Sequence, residues 1–76
     1  MSDLQRGALE AILMVAPEPV PVANLAAAID LPEAETEALL HAMVRQYADD
    51  QRGFELREAG GGWRFYSHPR YSEIVA

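Results

Sequence analysis

The sequence predicts an α+β domain of three to four helices closed by an antiparallel wing of two to three strands. Two stretches carry that expectation. Residues 22–48 hold two apolar helical stripes separated by a tight corner, Asp30-Leu31-Pro32. Residues 54–59 and 63–68 alternate apolar and polar side chains with period two, and Gly60-Gly61-Gly62 stands between them as the turn. Two helices around a corner followed by a hairpin is the plan of a winged helix-turn-helix. At 76 residues the whole chain, 1–76, forms one such domain.

Residues 3–16 read as helix one, with Ser2 and Gln5 spaced as a capping box. Leu4, Ala8, Ala11, Ile12 and Val15 form a stripe that Leu9, Leu13 and Ala16 widen. About half the circumference is then apolar, more than the ~100° of a helix with one buried side. Met14 lies off this arc, beside Glu10. Two readings follow. Helix one is a central helix packed on several sides, with Leu13 under the wing and Met14 a tolerated exposed residue. Alternatively it packs both on its own core and on a second protein. On that reading Ala8 and Ile12 supply the inward stripe. Leu13 at the arc's edge, Leu9 one turn before it and Met14 outside it are then the candidate dimer-interface residues. Methionine suits such surfaces because it is flexible and polarizable.

Pro17, Pro19 and Pro21 prevent a continuous helix across residues 17–22, and Val20 and Val22 leave room for a very short edge strand. Helix two follows with Val22, Leu25, Ala26 and Ile29 on one side. Asp30 tolerates the left-handed conformation that ends a helix, and Pro32 suits the start of the next. Helix three, ending near Ala48, places Thr36, Leu39, Leu40, Met43, Val44 and Tyr47 inward. Its far face carries Ala34, Ala38, His41, Ala42, Arg45 and Asp49. In the hairpin Phe54 and Leu56 alternate with Glu55 and Arg57, and Trp63, Phe65 and Ser67 oppose Arg64, Tyr66 and His68. Arg57 and Arg64 face each other or nearby acids across the strands. Residues 69–76 begin with Pro and then read as helical, so the chain ends within a further helix, as a piece of a longer protein would.

Composition excludes several functions. There is no cysteine, so neither a disulfide framework nor a thiolate metal site is expected. His41 and His68 lie in no HExxH or nucleophile constellation, and the glycine run is not a phosphate-cradling loop. No enzyme, metal site or cofactor is expected. No apolar run approaches the ~20 residues of a membrane helix, and the N-terminus lacks a basic signal-peptide start, so a cytoplasmic protein is expected. The net charge is −6, with six Arg and no Lys. Glu33, Glu35 and Glu37 crowd the first turns of helix three, where a DNA-reading helix meets base edges and where acids also suit the helix dipole. Strong direct duplex binding is therefore not expected.

The residues also resemble a family. LEAILMVAPEPVPVANLAAAIDL at 9–31, ALL in helix three, FELREAGGGWRF at 54–65 and HPRY at 68–71 are similar to the bacterial segregation and condensation protein B (ScpB) family. The likeness runs from Leu9 to Tyr71. Two positions depart from the family pattern: Pro21 stands where a small polar residue opens helix two, and Asp30 where a glycine closes it. The resemblance implies the first of two tandem winged-helix domains in a non-enzymatic subunit of the SMC–ScpA–ScpB condensin-like complex. It implies action in chromosome condensation and segregation during the cell cycle, through homodimerisation and binding of the kleisin ScpA and, through it, SMC. It implies a cytoplasmic, nucleoid-associated location. The alternative from another class is a winged-helix DNA-binding transcriptional regulator.

Overall fold

The computed structural model describes residues 3–76, so the expected Ser2 cap lies outside the described residues. Helices α1 (Asp3–Val15), α2 (Val22–Ile29) and α3 (Glu33–Asp49) precede strands β1 (Phe54–Ala59) and β2 (Gly62–Ser67). A 3-10 turn, Pro69–Tyr71, leads into a short helix, α4 (Ser72–Val75). This is the expected α+β winged helix.

The corner between α2 and α3 behaves as its residues dictate. Asp30 adopts the left-handed conformation at φ 56°, and the Leu31 N–H donates to the Ala26 carbonyl, closing the end of α2. Pro21 and Pro32, both extended, sit at the N-caps of α2 and α3. The Thr36 hydroxyl bonds the Pro32 carbonyl at 3.0 Å, which lets a fully buried Thr satisfy its polar atom.

The hairpin pairs Leu56 with Phe65 and Ala59 with Gly62, so its loop is only Gly60-Gly61, with φ of 62° and 81°. Two successive positive φ values are the requirement of the tight turn that matches strand twist. Gly62 has a different task. A Cβ there would stand 2.7 Å from the backbone of Val20, so only glycine lets β2 approach that segment. The expected edge strand reduces to one bridge: Val20 and Trp63 exchange two backbone hydrogen bonds at 2.9 and 2.8 Å. Val22 belongs instead to α2. Among the described residues β1 is paired on one side only.

The core joins Leu25, Leu39, Leu40, Met43 and Tyr47 of α2 and α3 to Leu56 and Trp63 of the hairpin. From α1 it takes Leu9, fully buried, and Leu13. Tyr47, Phe54 and Phe65 pack ring against ring at 4.9–6.0 Å. The Tyr47 hydroxyl donates to Glu10 Oε2 at 2.6 Å and so ties α3 to α1. Burial, and then that bond, push the Tyr47 phenol above its ordinary value.

Candidate interaction surface

The structure corrects the expected orientation of α1. Leu9 and Leu13, one turn apart, point to the centre of the core, with Ile12 beside them. Their side chains are spent inside the chain, so they are removed from the candidate interface. Leu4, Ala11 and Val15, read as part of the inward stripe, are exposed. The arc was broad enough to be centred on either pair of rows. The core chose Leu9 and Leu13, which bury more apolar area than Ala8 and Ala11. Met14 is exposed, as expected, with 76% of its surface free.

The rotation leaves an outer row of α1 that is apolar between Asp3 and Glu10 on one flank and the core-facing rows on the other. Leu4, Gly7, Ala11, Met14 and Val15 recur at i, i+3, i+7, i+10 and i+11, and all are exposed. Leu4 and Val15 are 86% and 80% exposed. At 1.5 Å per residue the face runs roughly 16 Å. A solvated helix face normally carries charged and polar residues, and an exposed apolar row is the kind of surface a partner covers. Gly7 adds a second anomaly. Glycine within a helix costs about 0.5–1 kcal/mol relative to alanine. Beyond the helix's own neighbouring backbone, a Cβ at Gly7 would meet no atom of the described residues within 4 Å, so no contact among them requires glycine there.

Beside this face lies an apolar groove of ≈ 430 Å³ lined by Glu10, Met14, Phe54 and Phe65. Met14 belongs to both features. The sequence reading missed this groove because Phe54 and Phe65 register only as inward hairpin residues.

Among the described residues the other large exposed apolar side chains are Ile74 and Val75 of α4, 79% and 61% exposed, while the outer sides of α3 and the hairpin are mainly polar. The exposed side of α3 carries Ala34, Glu35, Ala38, His41 and Arg45, with His41 edge-on to Trp63 at 5.3 Å. On the outer face of the hairpin Arg57 and Arg64 are directly opposed. Arg57 lies over the Tyr66 ring at 4.0 Å and 3.7 Å from Glu55, which offsets the like-charge pair. Among the described residues no group of three or more His, Asp or Glu side chains could hold a metal ion, and no helix is long and apolar enough to cross a membrane.

The features that stand out are thus an apolar helix face and an adjoining groove, the material of a protein interface. Comparison with known proteins agrees in kind. The family model for the segregation and condensation complex subunit ScpB matches residues 7–76. The chain belongs to this family. It is 34% identical over 71 residues to the segregation and condensation protein B of Moorella thermoacetica, covering 93% of this chain and 36% of that protein. It is 36% identical over 67 residues to the protein of the same name from Syntrophotalea carbinolica, covering 88% and 34%. The chain therefore spans only part of the length of these relatives. Among solved structures, ScpB from Mycobacterium tuberculosis superposes with a TM-score of 0.92 at 34% identity, over 96% of this chain and 46% of that one. A dimer of the ScpB N-terminal domain complexed with ScpA peptide superposes with a TM-score of 0.85 over 97% and 95% of the two chains. At 21% identity it speaks for the fold.

Proposed function

We propose that this ScpB-family chain is the first of two winged-helix domains of a non-enzymatic subunit of the SMC–ScpA–ScpB complex. It acts in chromosome condensation and segregation by pairing with a second copy of itself and by binding the kleisin ScpA, which connects it to SMC. Its place is the cytoplasm, on the nucleoid, reached through SMC rather than through its own grip on DNA. The observation that carries this reading is the outer face of α1. Leu4, Met14 and Val15 lie open to water with no polar side chain among them, which suits a subunit that works in an assembly. Met14 remains the interface candidate of the three expected from sequence. The family match and the ScpA peptide bound by a relative of the same fold support the kleisin as partner.

Sedimentation equilibrium of the chain, alone and with ScpA from the same organism, tests the reading. Self-association and a further complex with ScpA are expected. A titration with duplex DNA tests the regulator alternative. The net charge is −6, and Glu33 and Glu35 stand exposed at the start of α3. Submicromolar duplex binding at physiological salt, weakening by ~0.9 log units per phosphate contact for each tenfold rise in salt, would replace the proposed role with the regulator.

A further inference from the structure

We propose that the outer face of the hairpin, built on Arg57, Arg64 and Tyr66, receives an acidic helix of a partner protein through two carboxylates spaced one turn apart. The reading above does not use this surface.

Charge is distributed unevenly along the chain. Arg52, Arg57, Arg64 and Arg70 stand against Glu55 and Glu58, so residues 52–70 carry +2 while the whole chain carries −6. Acids outnumber arginines twelve to six, yet Arg57 and Arg64 face each other across the strands. Directly opposed like charges destabilise a hairpin. Glu55, 3.7 Å from Arg57, offsets that one cation. Among the described residues no carboxylate lies within ion-pair distance of Arg64, which reaches the Tyr66 ring only at 5.9 Å. Arg57 already covers that ring at 4.0 Å, so the aromatic contact does not need Arg64. Folding gains nothing from the opposed pair, and an anion seated on it removes the cost.

The arrangement suits carboxylates. A guanidinium presents a planar fork that holds a carboxylate by two parallel hydrogen bonds. Tyr66 and Glu55 hold Arg57 in place while 54% of its side chain stays open. Directly opposed residues of an antiparallel pair have Cβ atoms about 4.5–5.5 Å apart. Acids at i and i+4 of a helix stand about 5–6 Å apart, close to that spacing, whereas those at i and i+2 do not face the same way. Such a helix carries a like-charge repulsion of its own, so the contact relieves both partners. Duplex DNA fits less well. Affinity for it grows with the number of phosphates neutralised, and a few arginines on a chain of net charge −6 neutralise few.

The experiment follows the amide NMR signals of the chain during titration with two alanine-based helical peptides. One carries Glu pairs at i and i+4, the other the same residues at i and i+2. The first should move the Arg57, Arg64 and Tyr66 amides and lose affinity as salt rises, because exposed charges are screened. The second should bind about threefold more weakly or worse. Arg64→Gln should weaken the first peptide about tenfold, the loss of one charge-assisted pair. Arg64→Lys should weaken it about threefold, since lysine keeps the charge without the fork. Thermal unfolding of the free chain separates a binding role from a structural one: Arg64→Gln should unfold at a higher temperature, because the opposed charge is gone. Equal affinity for both peptides, binding of neither, or shifts confined to another face overturns the proposal. So does an Arg64→Gln chain that binds as tightly or unfolds at a lower temperature. Duplex DNA that binds this face more tightly than the first peptide at physiological salt also overturns it and assigns the face to nucleic acid.

Discussion

Replacing Met14 isolates the outer face of α1 from the core beneath it. In the separate chain 76% of Met14 is exposed, so a partner that covers it removes most of the side chain from water. Full burial of such a side chain is worth about 1.5–3 kcal/mol, and covering the exposed part roughly 1–2 kcal/mol per copy. A two-fold contact counts this twice. At about 1.4 kcal/mol per factor of ten, losing both contributions weakens the dimer roughly thirty- to several-hundred-fold. Met14→Glu should exceed that, because each carboxylate would be dehydrated on a face with no cation. It also affects the single domain. A Glu near the C-terminal end of α1 opposes the helix dipole by about 0.3–1 kcal/mol. Its spacing of four from Glu10 adds about 0.2–0.5 kcal/mol of repulsion. Met14→Lys separates the two effects, since lysine suits the helix end and pairs with Glu10, yet still places a charge in the contact. Both variants should sediment as monomers, with Met14→Lys unfolding at the higher temperature. If both dimerise with the constant of the unmodified chain, Met14 lies outside the contact and the reasoning from its exposure fails.

Leu9→Ala should destabilise the separate domain by about 2–5 kcal/mol through a core cavity, while Leu4→Ala changes it by less than about 0.5 kcal/mol. Thermal unfolding of the two compares the inner and outer rows of α1 directly, and equal effects would contradict the orientation described here. Gly62→Ala places its Cβ against the Val20 backbone, so hydrogen exchange at the Val20 and Trp63 amides should accelerate sharply. Unchanged protection would mean that the segment yields without cost. The neutral Tyr47 phenol is favoured in the folded chain, because burial and the Glu10 bond raise its pKa above the ordinary value. Its contribution is complete below about pH 10, the value in an unfolded chain, and is lost as pH rises beyond it. Denaturant titrations from neutral to strongly alkaline pH should show stability falling above about pH 10, and a shallower fall in Tyr47→Phe.

Much of this molecule was legible in its sequence because local rules and packing agree. Asp30 takes the left-handed conformation, α3 buries the expected row from Thr36 to Tyr47, and the hairpin alternates as read. Two features escaped for identifiable reasons. Three consecutive glycines do not say which two form the loop; the approach of Val20 to Gly62 decides it, and that is a tertiary contact. In α1 every position except Asp3, Gln5, Arg6, Gly7 and Glu10 is apolar, so periodicity cannot say which row faces in. Leu9 and Leu13 fill the space left by α2, α3 and the hairpin, and that choice exposed Leu4 and Val15. The candidate surface was thus hidden by the same breadth of apolar arc that first hinted at it.

The single-sided pairing of β1 bears on how copies of this chain can fail to associate properly. An unpaired strand edge offers its amides and carbonyls to any other extended chain, and growth by such addition has no natural stopping point. Here the open strand is six residues long, carries Glu55, Arg57 and Glu58, and ends at a tight glycine loop. The opposite margin of the hairpin is guarded by Pro19, Val20 and Pro21, of which only Val20 bonds across. Fibrous growth through the wing is therefore discouraged at both margins. The self-association proposed above would then run through a surface where closed symmetry, rather than endless strand addition, sets the number of copies.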